Sequence, residues 1–334
     1  MPLPSRGLVP VACLVAGVLL GCRGTQSQPD NIAPYEIVEI VPGVYAALAN
    51  IGGSGFGNAG IINMGSQAIV YDTGLTPEAG RHLREAAERL TGQNVTIVIN
   101  SHFHDDHIGG NQAFDQPSYL ATTSTQRAVE AAGETRTPES VAEAESTLHQ
   151  IRELLRSERD DKLRRDLTLV AGRLGAIVSS SDEFTRVVPT LVWDRRLNFT
   201  GSLRRIKFMP ALQSHTFGDA MLFLEADSIL FASDIVATDR HPAMQDGDPD
   251  GWKTLLDSML TLDFNVLVPG HGPLGDRQSV VRMREYLEFV DRAAAEVANG
   301  ASIDAVVIDS AFSDWMLESQ FRENVRFVME KRQQ

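Results

Sequence analysis

Cysteine is nearly missing from this chain of 334 residues, which has only Cys13 and Cys22, both near the N-terminus. The body can therefore build neither a disulfide framework nor a cysteine-based metal cluster, and any metal there must be held by nitrogen and oxygen. Basic residues are also in short supply. Thirty Lys and Arg stand against 44 Asp and Glu, and a net charge of −14 repels phosphate backbones and anionic headgroups. Nucleic acid is thus not expected as a partner, while a small-molecule substrate is compatible with this charge. The hydrophobic share of 43% and charged share of 22% match a globular protein and exclude wholesale disorder.

The apolar run Leu8 to Leu20 is 13 residues long and follows a single charge, Arg6. It is too short for a bilayer span and the right size for a signal-peptide core. It ends Leu19-Leu20-Gly21-Cys22, which resembles the lipobox of bacterial lipoproteins, with Leu20 in place of the usual smaller residue. That resemblance implies a signal peptide over 1–21, lipidation of Cys22 and attachment to the cell envelope on its periplasmic side. Arg23 leans toward the outer membrane. Residues 22–34 are polar and aperiodic and read as a tether. The folded body is expected over 35–334, touching a membrane only through the anchor.

Within the body, short β-branched and aromatic runs (Glu36–Val41, Val44–Ala49, Ala59–Asn63, Ala68–Tyr71) read as a β-meander. The glycine-rich stretch Gly52 to Gly57 reads as a mobile hairpin tip carrying Phe56 as its one large apolar group. Thr76-Pro77-Glu78 opens a helix stopped by Gly92, and Val95–Ile99 reads as a buried strand. The second half repeats the style, with strands at Ala220–Leu224, Ile229–Ala232 and Asn265–Val268 and helices near 251–260 and 277–298. Such alternation predicts a layered α/β body. Between the halves, about 124 to 178, lies a helical insert with two apolar stripes, Val141, Ala144, Leu148, Ile151, Leu155 and Leu163, Leu167, Val170, Leu174, Ile177. It is expected as a helical hairpin laid on the domain, with a lid or a homodimer contact as sharper readings.

Chemistry concentrates in the histidines. Three of the eight sit in His102-Phe103-His104-Asp105-Asp106-His107, directly after the strand Val95–Ile99. Side chains at 102 and 104 fall on one side of an extended loop, and Asp106 and His107 turn toward a second point, giving two neighbouring metal positions. His215 precedes one predicted strand, while Asp234 and His271 follow others, so the five histidines and two aspartates collect at strand ends. His82 and His149 lie in amphipathic helices and read as surface or half-buried residues. His241, beside Arg240 in the acidic loop after Asp234, reads as a solvated loop residue.

These motifs resemble the metallo-β-lactamase-fold hydrolase superfamily, from Val44 to about Val290. The resemblance implies a four-layer αβ/βα sandwich with a helical insert. It makes His102, His104 and His215 one zinc site and Asp106, His107 and His271 the other, with Asp234 bridging, and it makes Asp72 a residue that orients the site from behind. Two Zn2+ per chain are implied, although nitrogen–oxygen sites also accept iron and manganese. The sequence departs from the β-lactamase branches that carry cysteine or serine where Asp234 stands; the bridging carboxylate is typical of thioester, lactone and phosphodiester hydrolases. The implied mechanism is attack by a hydroxide shared between the ions, with Asp106 orienting it. Phe56, Arg240 and His241 are expected near the pocket mouth. The leading reading is hydrolysis of a carboxyl ester, lactone or thioester; the alternatives are a β-lactam-hydrolysing envelope enzyme and a non-catalytic metal-binding accessory protein.

Overall fold

The computed structural model describes residues 32–333. The signal peptide, Cys22 and almost all of the tether lie outside the described residues. Seven strands form one sheet in sequential order: β1 (Tyr35–Val41), β2 (Val44–Ala49), β3 (Ala59–Asn63), β4 (Ala68–Tyr71), β5 (Val95–Ile99), β6 (Ser118–Ala121) and β7 (Leu191–Val192). It is antiparallel through β4 and parallel from β4 to β7. A second sheet holds β8 (Leu197–Thr200), β9 (Arg205–Ala211), β10 (Asp219–Leu224), β11 (Ile229–Ala237) and β12 (Val266–His271), with only β11 and β12 parallel. The helices are α1 (Pro77–Thr91), α2 (Asp105–Ile108), α3 (Thr123–Ala132), α4 (Pro138–Ser157), α5 (Asp161–Ser179), α6 (Pro249–Met259), α7 (Arg277–Ala298) and α8 (Glu318–Arg332).

Three apolar clusters stack these elements into four layers. Ile62, Ile69 and Ile99 of the first sheet meet Phe208, Leu222 and Phe231 of the second in the sandwich interior. The outer face of the first sheet, including Ile61, Val70 and Val98, is covered by Ala79, Leu83, Ala86 and Ala87 of α1. On the far side α6, α7 and α8 cover the second sheet through Leu256, Val290 and Phe321. The predicted four-layer α/β sandwich is therefore the observed architecture. Its helix ends follow local chemistry. Thr76 caps α1 by accepting from the Ala79 amide, and Gly92 closes it in the left-handed region.

The insert is a helical hairpin, α4 against α5, preceded by α3. Leu148, Ile151, Leu167 and Leu174 point inward and enclose Phe56 and Leu75. Gly172 makes this possible: a Cβ there would come within 2.4 Å of the Gly52 Cα, so the helix can rest on the glycine loop only at a residue without a side chain. The segment 52–57 does link the antiparallel pair β2 and β3 as a hairpin loop, but it is mostly buried under the insert. Two strands also run further than their sequence limits. β11 continues through Asp234 to Ala237, and β12 through Gly270 to His271. Among the described residues, no helix is long and apolar enough to cross a membrane.

Phe208 is fully buried in the sandwich interior. Phe208→Ala is expected to cost about 3–5 kcal/mol of folding stability, read as a shift in the denaturant midpoint at constant slope; a change within the surface range of about ±0.5 kcal/mol would contradict this packing.

Candidate metal centre

The site lies beyond the carboxyl ends of the parallel strands, where α/β sheets place their ligands. β5 runs into the loop 100–107, β4 ends one residue before Asp72, β11 carries Asp234, β12 ends on His271, and His215 sits in the turn before β10. Loop 100–107 is pinned at its base by a reciprocal amide pair. Asn100 Nδ2 donates to Asn111 Oδ1 at 3.0 Å and Asn111 Nδ2 donates to Asn100 Oδ1 at 2.9 Å. The single turn of α2 then aims Asp106 and His107 inward.

Two donor groups result: His102, His104, His215 and Asp234, and Asp106, His107 and His271, the ligand atoms of each lying within 4.8 Å of one another. Asp234 faces both. Its Oδ1 is 3.1 Å from His107 Nε2, and its Oδ2 is 3.2 Å from His271 Nε2, 3.6 Å from His215 Nε2 and 4.0 Å from His102 Nε2. Asp106 Oδ2 lies 3.3 Å from His271 Nε2 and 3.6 Å from His107 Nε2.

The outward nitrogens are tied down, which sets the inward ones. His107 Nδ1 donates to Asp72 Oδ2 at 2.9 Å, and His271 Nδ1 donates to the Phe56 carbonyl at 3.1 Å. Ser101 Oγ donates to Asp72 Oδ2 at 2.7 Å and sits 2.9 Å from His102 Nδ1, which makes it the acceptor for that ring. His104 is turned the other way. Its Nε2 meets Asp246 Oδ2 at 3.0 Å, and its Nδ1 approaches His102 Nε2 at 3.0 Å. Oxygen partners of this kind fix the ring orientation and raise the basicity of the inward nitrogen. Asp219 acts one step back, accepting from Thr216 N, Thr216 Oγ1 and Ser214 Oγ and so shaping the turn that presents His215.

Burial sets the charges. It pushes the His102 imidazole well below its usual range, and the neighbouring His107 and His104 rings push it further, leaving a neutral nitrogen donor. Burial alone would raise Asp234 and Asp106. The imidazoles of His271 and His107 outweigh it and hold both carboxylates well below their usual range. For His107 burial again opposes the charge, but Asp234, Asp106 and Asp72 prevail and raise the ring well above its usual value.

The fit for cations is visible in two orphaned atoms. His107 Nε2 and Asp234 Oδ1 are buried with no hydrogen-bond partner, although they stand 3.1 Å apart. Buried polar atoms are rarely left so, and a donor set of imidazole and carboxylate suits zinc and related dications.

Of the pocket-mouth residues, Phe56 has its ring edge-on to His271 at 5.4 Å and gives that histidine its carbonyl. The Arg240 guanidinium lies over the Phe56 ring at 4.8 Å. His241 is not the solvated residue expected. It is buried among Tyr286, Trp315 and Phe321, with Nδ1 3.2 Å from the Tyr286 hydroxyl, because α7, α8 and the segment before α8 close over it. His82 is half-buried and His149 exposed, as read. Asp246, Ser101, Ser233 and Asp219 were not singled out from sequence. Ser101 carries a signal in preceding His102, whereas Asp246 is one of several aspartates in an acidic loop.

The sequence model of the metallo-beta-lactamase superfamily matches residues 52–271. No curated protein matches the chain. The fold is similar to the stereoselective inverting sec-alkylsulfatase Pisa1 from Pseudomonas sp. (TM-score 0.62, 17% identity), over 89% of this chain and 50% of that one. This chain thus spans about half of the alkylsulfatase's length. It is also similar to a metallo-beta-lactamase from Pontibacter korlensis (TM-score 0.53, 16% identity; 76% of this chain, 99% of that one). The metallo-beta-lactamase FIM-1 from Pseudomonas aeruginosa, in its mono-zinc form, gives TM-score 0.53 at 15% identity, covering 78% of this chain and 97% of the other.

Two outcomes follow from this geometry. Asp234→Asn removes the charge shared by both donor groups and is expected to drop bound metal below two ions per chain by elemental analysis; two ions retained would refute the shared role. Burial pulls His241 down to about 3, with the positive Lys162 adding to the effect. Its folded pKa is thus below its unfolded value near 6.5, so this contribution is fully present above pH 6.5 and is lost as pH falls toward 3. His241→Phe is expected to flatten the acid limb of unfolding free energy against pH; an unchanged slope would contradict a neutral buried ring.

Proposed function

The chain belongs to the metallo-β-lactamase superfamily, and on that premise we propose that it is a dinuclear zinc-dependent hydrolase of a carboxyl ester, lactone or thioester. The observation that carries this reading is the Asp234 carboxylate facing two histidine groups at once, with its Oδ1 and the His107 Nε2 left unpaired in the protein interior. His102, His104 and His215 would hold one ion, Asp106, His107 and His271 the other, and Asp234 both. Bound dications would lower the pKa of a water between them toward neutrality and polarise the substrate's carbonyl oxygen.

The chain's own groups do the positioning. Asp106, ionised and anchored next to His271 and His107, is suited to orient a water through its carboxylate and is too weak a base to keep the proton. Asp72 holds the His107 ring through Nδ1 and, by its bonds to the Ser101 backbone N–H and hydroxyl, holds the loop that carries His102. Asp246 and the Phe56 carbonyl keep His104 and His271 in their rotations. Together they supply a prearranged donor set that needs no reorganisation during the reaction. We place the protein in the cell envelope, lipid-anchored at Cys22, on the strength of its N-terminal sequence.

Elemental analysis of residues 30–334 is to be paired with a hydrolysis panel: a β-lactam, an acyl-homoserine lactone, a glutathione thioester, a phosphodiester and a secondary alkyl sulfate. The expected result is two zinc ions and turnover of the lactone or thioester, abolished by chelation and restored by zinc. Turnover of the β-lactam alone would shift the assignment to the envelope β-lactamase reading, and two metals with no turnover to an accessory role.

A further inference from the structure

Two arginines lie beside the metal centre. The guanidinium carbon of Arg240 lies 4.8 Å from the Phe56 ring centroid and that of Arg173 lies 5.4 Å from it. Phe56 in turn packs its ring 5.4 Å from that of His271. Both guanidiniums are therefore one aromatic ring away from the donor groups. The Nε of each is buried with no hydrogen-bond partner, and among the described residues neither side chain closes an ion pair. Arg136 and Arg204 also leave Nε without a hydrogen bond, but they close ion pairs, Arg136 with Asp105 and Arg204 with Asp227. Leaving buried guanidinium donors unmatched is costly unless something else matches them.

The two are presented by separate elements and lie close enough for their charges to act on each other. Arg173 is on α5, seated by Gly172 against Gly52. Arg240 is bridged to Met316; the His241 N–H donates to the Met316 carbonyl and the Met316 N–H to the Asp239 carbonyl, each at 2.9 Å. Burial pulls Arg240 down to about 10, opposed by Asp234 and Asp106, so it stays cationic at neutral pH. Asp166 favours the charge as well, yet among the described residues none of these carboxylates forms an ion pair with the guanidinium.

We propose that Arg173 and Arg240, stacked on Phe56 next to the metal centre, bind an oxyanion carried by the substrate, so that the enzyme selects anionic substrates over neutral ones. This rests on the hydrolase reading for its catalytic consequence, but not for the binding itself. Guanidinium forks match the geometry of carboxylate and sulfate groups, and both lie over the Phe56 ring.

The test has two readouts on matched full-length folded samples of wild type, Arg173→Gln/Arg240→Gln and Arg240→Lys, with zinc content and thermal midpoints compared first. With zinc loaded, mono-4-nitrophenyl glutarate and 4-nitrophenyl butyrate are compared. The anionic-to-neutral ratio of kcat/KM is expected to fall about tenfold or more in the double variant, chiefly through KM, and to be partly kept by Arg240→Lys. Without metal, calorimetric titration with glutarate and with sulfate is expected to show binding in wild type that the double variant loses; the stronger of the two ligands identifies the oxyanion. A ratio that does not move, or equal binding to wild type and double variant, overturns the proposal. No turnover of either ester, with binding still lost in the double variant, sinks the hydrolase reading and leaves the oxyanion site standing.

Discussion

A carboxylate buried in the interior between two sets of imidazoles is the constraint on which the rest of this structure turns. Asp234 is only 8% exposed, and an ionised group so placed is tolerated only if its surroundings compensate the lost hydration. His102, His107, His215 and His271 do so from all sides. The local chain is bent to permit it. Ser233 adopts a left-handed backbone at φ 46, the pairing of β11 with β12 slips on either side of it, and a Cβ on Gly270 would come within 1.9 Å of Asp234 Oδ1. Backbone held in sparsely populated regions costs free energy and persists where the surroundings over-determine it. Asp72 and Phe56, both at positive φ, belong to the same shell.

A second constraint ties the insert to the metal loop. In His104-Asp105-Asp106-His107 alternate residues part company: Asp106 faces the donor groups, while Asp105 faces outward to Arg186 at 2.8 Å and Arg136 at 3.5 Å. Arg136 also stacks on Phe184 and donates to the Leu75 carbonyl and to Ser180 Oγ at the end of α5. The helical hairpin is thereby fastened to the same turn that aims Asp106 and His107. Its other attachment, Gly172 on Gly52, fixes the loop whose Phe56 carbonyl orients His271. The insert is thus part of the frame of the site as well as its roof.

What was legible in the sequence was what local pattern encodes. The strand runs, the Thr76 cap, the two stripes of the insert and the histidine cluster after β5 all depend on neighbours a few residues away. What was not legible depends on contacts made across the fold. His241 lies 45 residues from the Tyr286 that buries it, so its acidic loop read as solvated. The glycines at 52–57 marked a loop correctly, yet only the distant Gly172 decides that it is covered. Asp246 looks like its acidic neighbours until His104 is found against it. β7, β8 and α3 are short or weakly patterned and gain their place from partners rather than from propensity.

The most direct test is anomalous X-ray diffraction from zinc-loaded crystals, measured on both sides of the zinc edge. The account requires two zinc peaks per chain, one among His102, His104 and His215, the other among Asp106, His107 and His271, with Asp234 in contact with both. A single peak, or a second ion held without Asp234, would contradict it.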